Sequence, residues 1–295
     1  MYIYVNGQVV RKEEARISPF DHGFMYGVGL FETFRVYGGH PFLLDDHLER
    51  LNIGLCDVNI ELQLIRDEVV KIIDQLLVAN RLKDAYVRLN VSAGIGDLGL
   101  QTAKYENPTV IAYMKPIPHG SFAEKACTIL KTKRNSPEGA VRLKSHHFLN
   151  NIFGKREIGA DPAIEGIFLT KEGFVAEGIV SNIFWVKNNT VYTPSIETGI
   201  LNGITRQFVL SMLSSLEIRW VQGCYRLENL LKADEVFLTN SIQEIVPVYQ
   251  INEYVFPGVG GLVTRLLKEQ YRMYTHHLWT RNELTERIES NGKKS

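Results

Sequence analysis

Arg142-Leu143-Lys144-Ser145-His146-His147-Phe148-Leu149-Asn150-Asn151, running on to Glu157, and Val175-Ala176-Glu177-Gly178 further along decide how this chain is read. A lysine that follows a loop opens into a run patterned as a helix, and a lone carboxylate follows on a stretch patterned as a strand. An amine and an acid of this kind fit a cofactor with an aldehyde and a ring nitrogen. The candidate is pyridoxal phosphate.

That cofactor makes three demands: an amine for a Schiff base, an acid that keeps the pyridine nitrogen protonated, and a cradle for the phosphate. Lys144 is the candidate for the first and Glu177 for the second. A carboxylate beside the pyridinium favours its charged form and makes the ring a strong electron sink. For the third, Gly203-Ile204-Thr205-Arg206 stands directly before the apolar-periodic run Phe208, Val209, Met212, Leu213, Leu216. Backbone amides at such a helix start, with a threonine hydroxyl, suit a phosphate. Thr239-Asn240-Ser241, where the strand Glu235-Val236-Phe237-Leu238 ends, offers a second set, and Arg50, in a predicted helix, a further charge.

Working outward, the 295 residues suffice for two domains with substantial cores, and the formal charge of zero gives no electrostatic case for nucleic acid or an anionic membrane. Small molecules are the expected partners. Cys56, Cys127 and Cys224 are odd in number and widely separated, which disfavours a disulfide framework or a zinc site. No metal is expected. The adjacent His146 and His147 point different ways on a helix and lack accompanying ligands. Met1-Tyr2-Ile3-Tyr4-Val5-Asn6-Gly7 reads as strand and turn rather than a leader, no run approaches a membrane span, and a cytoplasmic protein is expected.

Along the chain, Asn6-Gly7 and Gly38-Gly39 each separate two short strands as hairpin turns. Ile65, Val69, Ile72 and Leu76 predict a helix ending near Asn80, and Ala85 to Ala93 and Thr109 to Met114 read as strands. Pro116-Ile117-Pro118-His119-Gly120-Ser121 breaks the pattern as a linker. Beyond it, strands are expected at Thr128 to Leu130, Gly166 to Thr170, Ile183 to Val186 and Val236 to Thr239, with helices beginning near Phe148, Ile204 and Leu262. Gly94-Ile95-Gly96-Asp97-Leu98-Gly99 has the spacing of a dinucleotide fingerprint, but no long helix follows, so a flexible turn is expected.

The order of Tyr26-Gly27, Phe31-Glu32-Thr33, His47, Arg50-Leu51, Lys144, Val175-Ala176-Glu177-Gly178, Asn182-Ile183-Phe184, Gly203-Ile204-Thr205-Arg206, Ala233-Asp234-Glu235-Val236-Phe237, Glu244-Ile245 and Pro247-Val248 resembles the class IV aminotransferase family. The resemblance runs from about Tyr4 to about Tyr274. It implies the fold-type IV architecture of D-amino-acid aminotransferases, a two-domain α+β and α/β chain that pairs as a homodimer. The smaller α+β domain would cover 1–115, a linker 116–126, the larger cofactor-binding domain 127–285 and a disordered tail 286–295. By the same resemblance Lys144, Glu177, Arg50, Leu201, Ile204, Thr205, Asn240 and Ser241 hold pyridoxal 5'-phosphate, while Tyr26, Tyr86, Arg88 and His147 meet the substrate.

Within the family, Ser18-Pro19-Phe20-Asp21-His22-Gly23-Phe24 leading into Phe31-Glu32-Thr33-Phe34-Arg35, with Arg142-Leu143-Lys144-Ser145, looks most like the Bacillus-type aminodeoxychorismate lyases. These release pyruvate and p-aminobenzoate for folate synthesis. Lys144 would then be the catalytic base, and either Lys144 or the Thr33 hydroxyl would return a proton to the leaving group. The alternative is a branched-chain or D-amino-acid aminotransferase. Ser92-Ala93-Gly94 lacks the arginine that D-specific enzymes carry there, whereas Tyr86-Val87-Arg88 resembles the branched-chain pattern; Arg88 could equally grip the ring carboxylate of aminodeoxychorismate. Gly27-Val28-Gly29 lacks the acid that many relatives carry between these glycines, which suits a dianionic substrate.

Overall fold

The computed structural model describes residues 1–117 and 123–284, in two compact units. Unit 1 is Met1–Pro118 with Leu143–His147 and Thr275–Thr280; unit 2 is His119–Arg142 with Phe148–Tyr274 and Arg281–Ser295. The expected tail 286–295, and 118–122 of the expected linker, lie outside the described residues. Two segments of the stretch 127–285 thus belong to unit 1, and backbone hydrogen bonds explain why. Ser145 bridges Leu30, the Lys144 carbonyl accepts from Phe31 N at 2.9 Å, and the Leu278 and Trp279 carbonyls accept from Leu43 N and Asp45 N at 3.1 and 3.0 Å.

In unit 1, β1 (Tyr2–Val5) and β2 (Gln8–Arg11) form the hairpin signalled by Asn6-Gly7, whose φ angles of 43° and 93° are those a tight two-residue turn requires. After α1 (His22–Met25) come β3 (Gly29–Tyr37), β4 (His40–Pro41), α2 (Leu44–Asp57), α3 (Arg66–Asn80), β5 (Ala85–Ser92) and β6 (Thr109–Lys115). The strands make an antiparallel sheet in the order β2-β1-β6-β5-β3-β4. Alternation sends Phe34, Val36, Val87 and Leu89 to one face, where Leu48, Leu51 and Leu55 of α2 and Val69, Ile73 and Leu76 of α3 join them in one core. Each such side chain stabilises the fold by about 1.5–3 kcal/mol. The opposite face is left for other residues, among them Phe31, Thr33, Tyr86, Arg88 and Asn90.

Gly94 to Gly99 is no dinucleotide site, and the expectation of a flexible turn is corrected to a pinned loop. Gly94 has φ +81° and a Cβ there would stand 2.0 Å from the Asn107 carbonyl, so only glycine fits. The buried His22 donates from Nε2 to the Asp97 carbonyl at 2.8 Å, which leaves Nδ1 to accept from the Tyr105 hydroxyl at 3.0 Å.

Unit 2 holds β7 (Lys125–Ile129), α4 (Leu149–Ile158), β8 (Ile164–Leu169), β9 (Val175–Gly178), β10 (Asn182–Lys187), β11 (Thr190–Pro194), α5 (Ile204–Ser215), β12 (Trp220–Gly223), α6 (Leu227–Leu231), β13 (Glu235–Asn240), β14 (Glu244–Ile251), β15 (Tyr254–Val255) and α7 (Leu262–Tyr274). Its nine-stranded sheet runs β12-β11-β10-β13-β14-β7-β8-β9, with β15 on β14. Ile183, Trp185, Val236, Leu238, Val246 and Val248 build a core on one face. Glu235, buried at the start of β13, caps α7 by accepting from Val263 N, Thr264 N and the Thr264 hydroxyl at 3.1, 2.9 and 2.8 Å.

Candidate active site

Glu177 on β9 is the centre of a buried polar network in unit 2. One carboxylate oxygen accepts from Arg134 Nε at 2.8 Å, with Arg142 Nε at 3.9 Å; the other accepts from Leu201 N at 3.0 Å and Asn182 Nδ2 at 3.3 Å. Burial pushes this carboxyl up from its ordinary value, against the pull of Arg134 and Arg142. Every contact is an N–H donor, so the side chain is fixed as an acceptor aimed by its neighbours. Arg134 is fixed in turn by Asn150 Oδ1 at 2.7 Å, and Asn182 also donates to the Leu201 carbonyl at 2.9 Å.

Helix α5 supplies the second part. Its N-cap is Gly203, with no side chain to satisfy the first amides and no acidic residue in the first turn. The hydroxyls of Thr205 and Ser241 are 3.3 Å apart. Asn240 shapes the neighbouring turn: its Oδ1 accepts from Ile242 N and Gln243 N at 3.0 and 2.7 Å. The Thr239 hydroxyl, on a side chain 1% exposed, has no hydrogen-bond partner among the described residues. Thr239 pairs with Asn182 across β13 and β10, which puts both side chains on one face. An uncapped helix start, paired hydroxyls and an orphaned buried hydroxyl fit a phosphate ester, and Glu177 fits a protonated ring nitrogen.

Gly203 has a packing reason as well. A Cβ there would lie 2.1 Å from Asn182 Oδ1, so a larger residue dislodges the amide that steers Glu177 and Leu201. Gly203→Ala is expected to cost about 1–3 kcal/mol in urea unfolding, and distinctly less in an Asn182→Ala background. Equal costs in the two backgrounds would separate Gly203 from Asn182.

In unit 1, pairing of β3 with β5 sets Phe31 opposite Asn90, Thr33 opposite Arg88 and Arg35 opposite Tyr86. The Arg88 guanidinium lies 3.6 Å and the Lys144 amine 4.7 Å from the centre of the Phe31 ring. His146 stacks near the same ring at 6.5 Å and donates from Nε2 to Asn90 Oδ1 at 3.1 Å. Burial and the nearby Arg88 bring the His146 pKa down to about 4, so it stays neutral near pH 7. His147 turns the other way, toward the Tyr26 carbonyl at 3.4 Å, while the Tyr26 hydroxyl accepts from Gly99 N at 2.8 Å. Lys115 lies over the Tyr86 ring. Arg50 on α2 forks onto the buried Glu32, with Nε to Oε1 and Nη2 to Oε2 both at 2.7 Å, and His47 Nδ1 reaches the same carboxylate at 2.6 Å.

Unit 1 therefore carries Tyr26, Thr33, Arg50, Tyr86, Arg88, Lys144 and His147, and unit 2 carries Glu177, Leu201, Ile204, Thr205, Asn240 and Ser241. Sequence reasoning overlooked Arg134 and Asn90; it named Thr239 in the second phosphate set and quoted Asn182 and Phe31 in the family pattern without giving either a role. For Asn90 a signal existed: Tyr86, Arg88 and Asn90 are polar at every second position of an otherwise apolar strand. Among the described residues no cluster of three or more His, Cys, Asp or Glu could hold a metal, and no helix is long and apolar enough to cross a membrane.

Comparison with known proteins shows what the whole chain is similar to. The chain is 48% identical over 273 residues to the aminodeoxychorismate lyase of Bacillus subtilis, covering 92% of this chain and 93% of that one. The fold is similar to the branched-chain aminotransferase of Thermoproteus uzoniensis solved with norvaline, at a TM-score of 0.83 and 29% identity, covering 92% and 93% of the two chains. It is also similar to the branched-chain amino acid aminotransferase of Escherichia coli, at a TM-score of 0.82 and 26% identity, covering 93% and 94% of the two chains. Residues 29–251 match the amino-transferase class IV family, and with that match and its fold-type IV neighbours the chain belongs to that family.

Proposed function

We propose that this protein is a pyridoxal phosphate-dependent aminodeoxychorismate lyase, releasing pyruvate and p-aminobenzoate for folate synthesis, and acting as a cytoplasmic homodimer. Its likeness to the Bacillus subtilis lyase over nearly the whole chain carries this reading. Pyridoxal phosphate, when bound, supplies an aldehyde that condenses with amines and a ring that takes up carbanion electrons.

The residues divide the work. Glu177, aimed by Arg134, Asn182 and Leu201, would accept a hydrogen bond from the ring nitrogen. Ile204 and Thr205 at the start of α5, with Ser241 and Asn240, would receive the phosphate, and the family resemblance implies that Arg50, held by Glu32, would add positive charge. Leu201, tied by its amide to Glu177, would help to hold the cofactor. Lys144 would hold the cofactor through its amine, and the same amine would serve as the base for the proton on the carbon bearing the substrate amine. The ether C–O bond on the neighbouring carbon then breaks, its oxygen takes a proton from Lys144 or Thr33, and the enolpyruvyl group leaves as pyruvate. The ring becomes aromatic and keeps its amine. Arg88, rigid against Phe31 and Asn90, pairs with a substrate carboxylate, flanked by Tyr26, Tyr86 and His147.

The test supplies aminodeoxychorismate with no keto acid present. Equal catalytic release of p-aminobenzoate and pyruvate is expected. A second reading, branched-chain aminotransferase, is favoured by Tyr86-Val87-Arg88. Absence of both products, with conversion of the cofactor to its amine form on adding branched-chain amino acids, would establish it instead.

A further inference from the structure

Arg206 presents a physical problem. It is 2% exposed, in the first turn of α5, and its acceptors among the described residues are all neutral: Asn202 Oδ1 at 3.0 Å from Nη1, the Pro194 carbonyl at 2.9 Å from Nη2, and Gln222 Oε1. Its Nε has no partner among the described residues. Burial lowers its pKa to about 10, with only Glu177 pulling the other way, so the guanidinium is charged at neutral pH. Glu177 is already flanked by Arg134 and Arg142, whose side chains are also buried. Among the described residues three buried guanidiniums therefore draw on Glu177, with Glu138 adding its pull on Arg142 alone.

A buried cation whose counter-ion is shared among several guanidiniums is costly, and positive charge in a first helical turn opposes the helix dipole. Thr205, the residue before Arg206, belongs to the phosphate cradle. A phosphate monoester brings up to about two negative charges and offsets that excess. Hydrogen bonding from Nη1 also fixes Asn202, the residue before the Gly203 cap.

We propose that Arg206 is a positioning residue for the cofactor phosphate: its buried, unpaired charge holds the phosphate as the dianion, and its grip on Asn202 sets the amides of the α5 start. This rests on the assignment of the α5 start to pyridoxal phosphate. The purely structural rival is a staple that ties the chain at positions 194, 202 and 222 and is indifferent to the ligand's charge.

Phosphorus NMR of the full-length holoprotein separates the two. In wild type the bound phosphate should remain dianionic well below the free-ester midpoint of about 6. In Arg206→Met the midpoint should move back toward that value and pyridoxal phosphate should bind about tenfold more weakly or worse, whereas Arg206→Lys should restore most of both. A wild-type bound phosphate that titrates at the free-ester midpoint overturns the proposal, whether or not the variants fold. So does identical titration in wild type and Arg206→Met. A wild-type protein that takes up no pyridoxal phosphate overturns the cofactor assignment itself, and this proposal with it.

Discussion

Lys144→Ala is expected to abolish turnover, with kcat falling by about 10²–10⁴ or more, because one amine both anchors the cofactor and moves the proton. The structure gives that amine a fixed position. Its backbone carbonyl accepts from Phe31 N at 2.9 Å, Ser145 bridges Leu30, and the amine lies 4.7 Å from the centre of the Phe31 ring. The change removes none of these backbone bonds, so the fold should persist. Borohydride treatment followed by peptide mass mapping checks the assignment: wild type should retain a reduced cofactor on the peptide containing Lys144, and the variant none. Labelling of another lysine in wild type would transfer the role.

Glu32→Gln is expected to lower stability by about 3 kcal/mol at neutral pH. Burial alone would raise the Glu32 carboxyl, but the bidentate Arg50 and the short bond to His47 override it and bring it from 4.5 to about 2. His47 is itself pushed down by burial, so it serves as a neutral donor and Arg50 carries the charge. A carboxylate depressed on folding stabilises the protein fully above its unfolded value and loses that contribution as pH falls through its folded value. Wild type should therefore lose this increment between pH 4.5 and about 2, while the variant lacks it at every pH. Urea midpoints measured across that window decide the matter. Parallel curves for the two proteins, with no gap at neutral pH, would show that the Arg50 fork contributes nothing net.

What could be read from the sequence was whatever depends on local order. The Asn6-Gly7 turn, the Ile65 to Asn80 periodicity and the Gly203-Ile204-Thr205 helix start are written in adjacent residues, and β1/β2, α3 and α5 form there. Lys144 and Glu177 stood out because few chemistries need that pair. Arg134 did not, since in Lys131-Thr132-Lys133-Arg134 it resembles an ordinary surface charge; its partner Glu177 is 43 positions away. His22 is hidden for the same reason, its partners Asp97 and Tyr105 lying 75 and 83 positions on. Phe31, read by its residue type, belongs to a core; only strand register reveals it as the plate against which Arg88 and Lys144 rest. Helix α7 begins at Leu262 as its apolar pattern suggests, yet the carboxylate that caps it comes from Glu235 on a distant strand.

Unit 1 draws its last pieces from Leu143–His147 and Thr275–Thr280. Leu278 and Trp279 give their carbonyls to the start of α2, and the Trp279 ring packs against the unit 1 core. During synthesis, which proceeds at about 5–20 residues per second, the first hundred or so residues emerge long before this clasp exists. Unit 1 therefore gains its last native contacts only after most of the chain has been made.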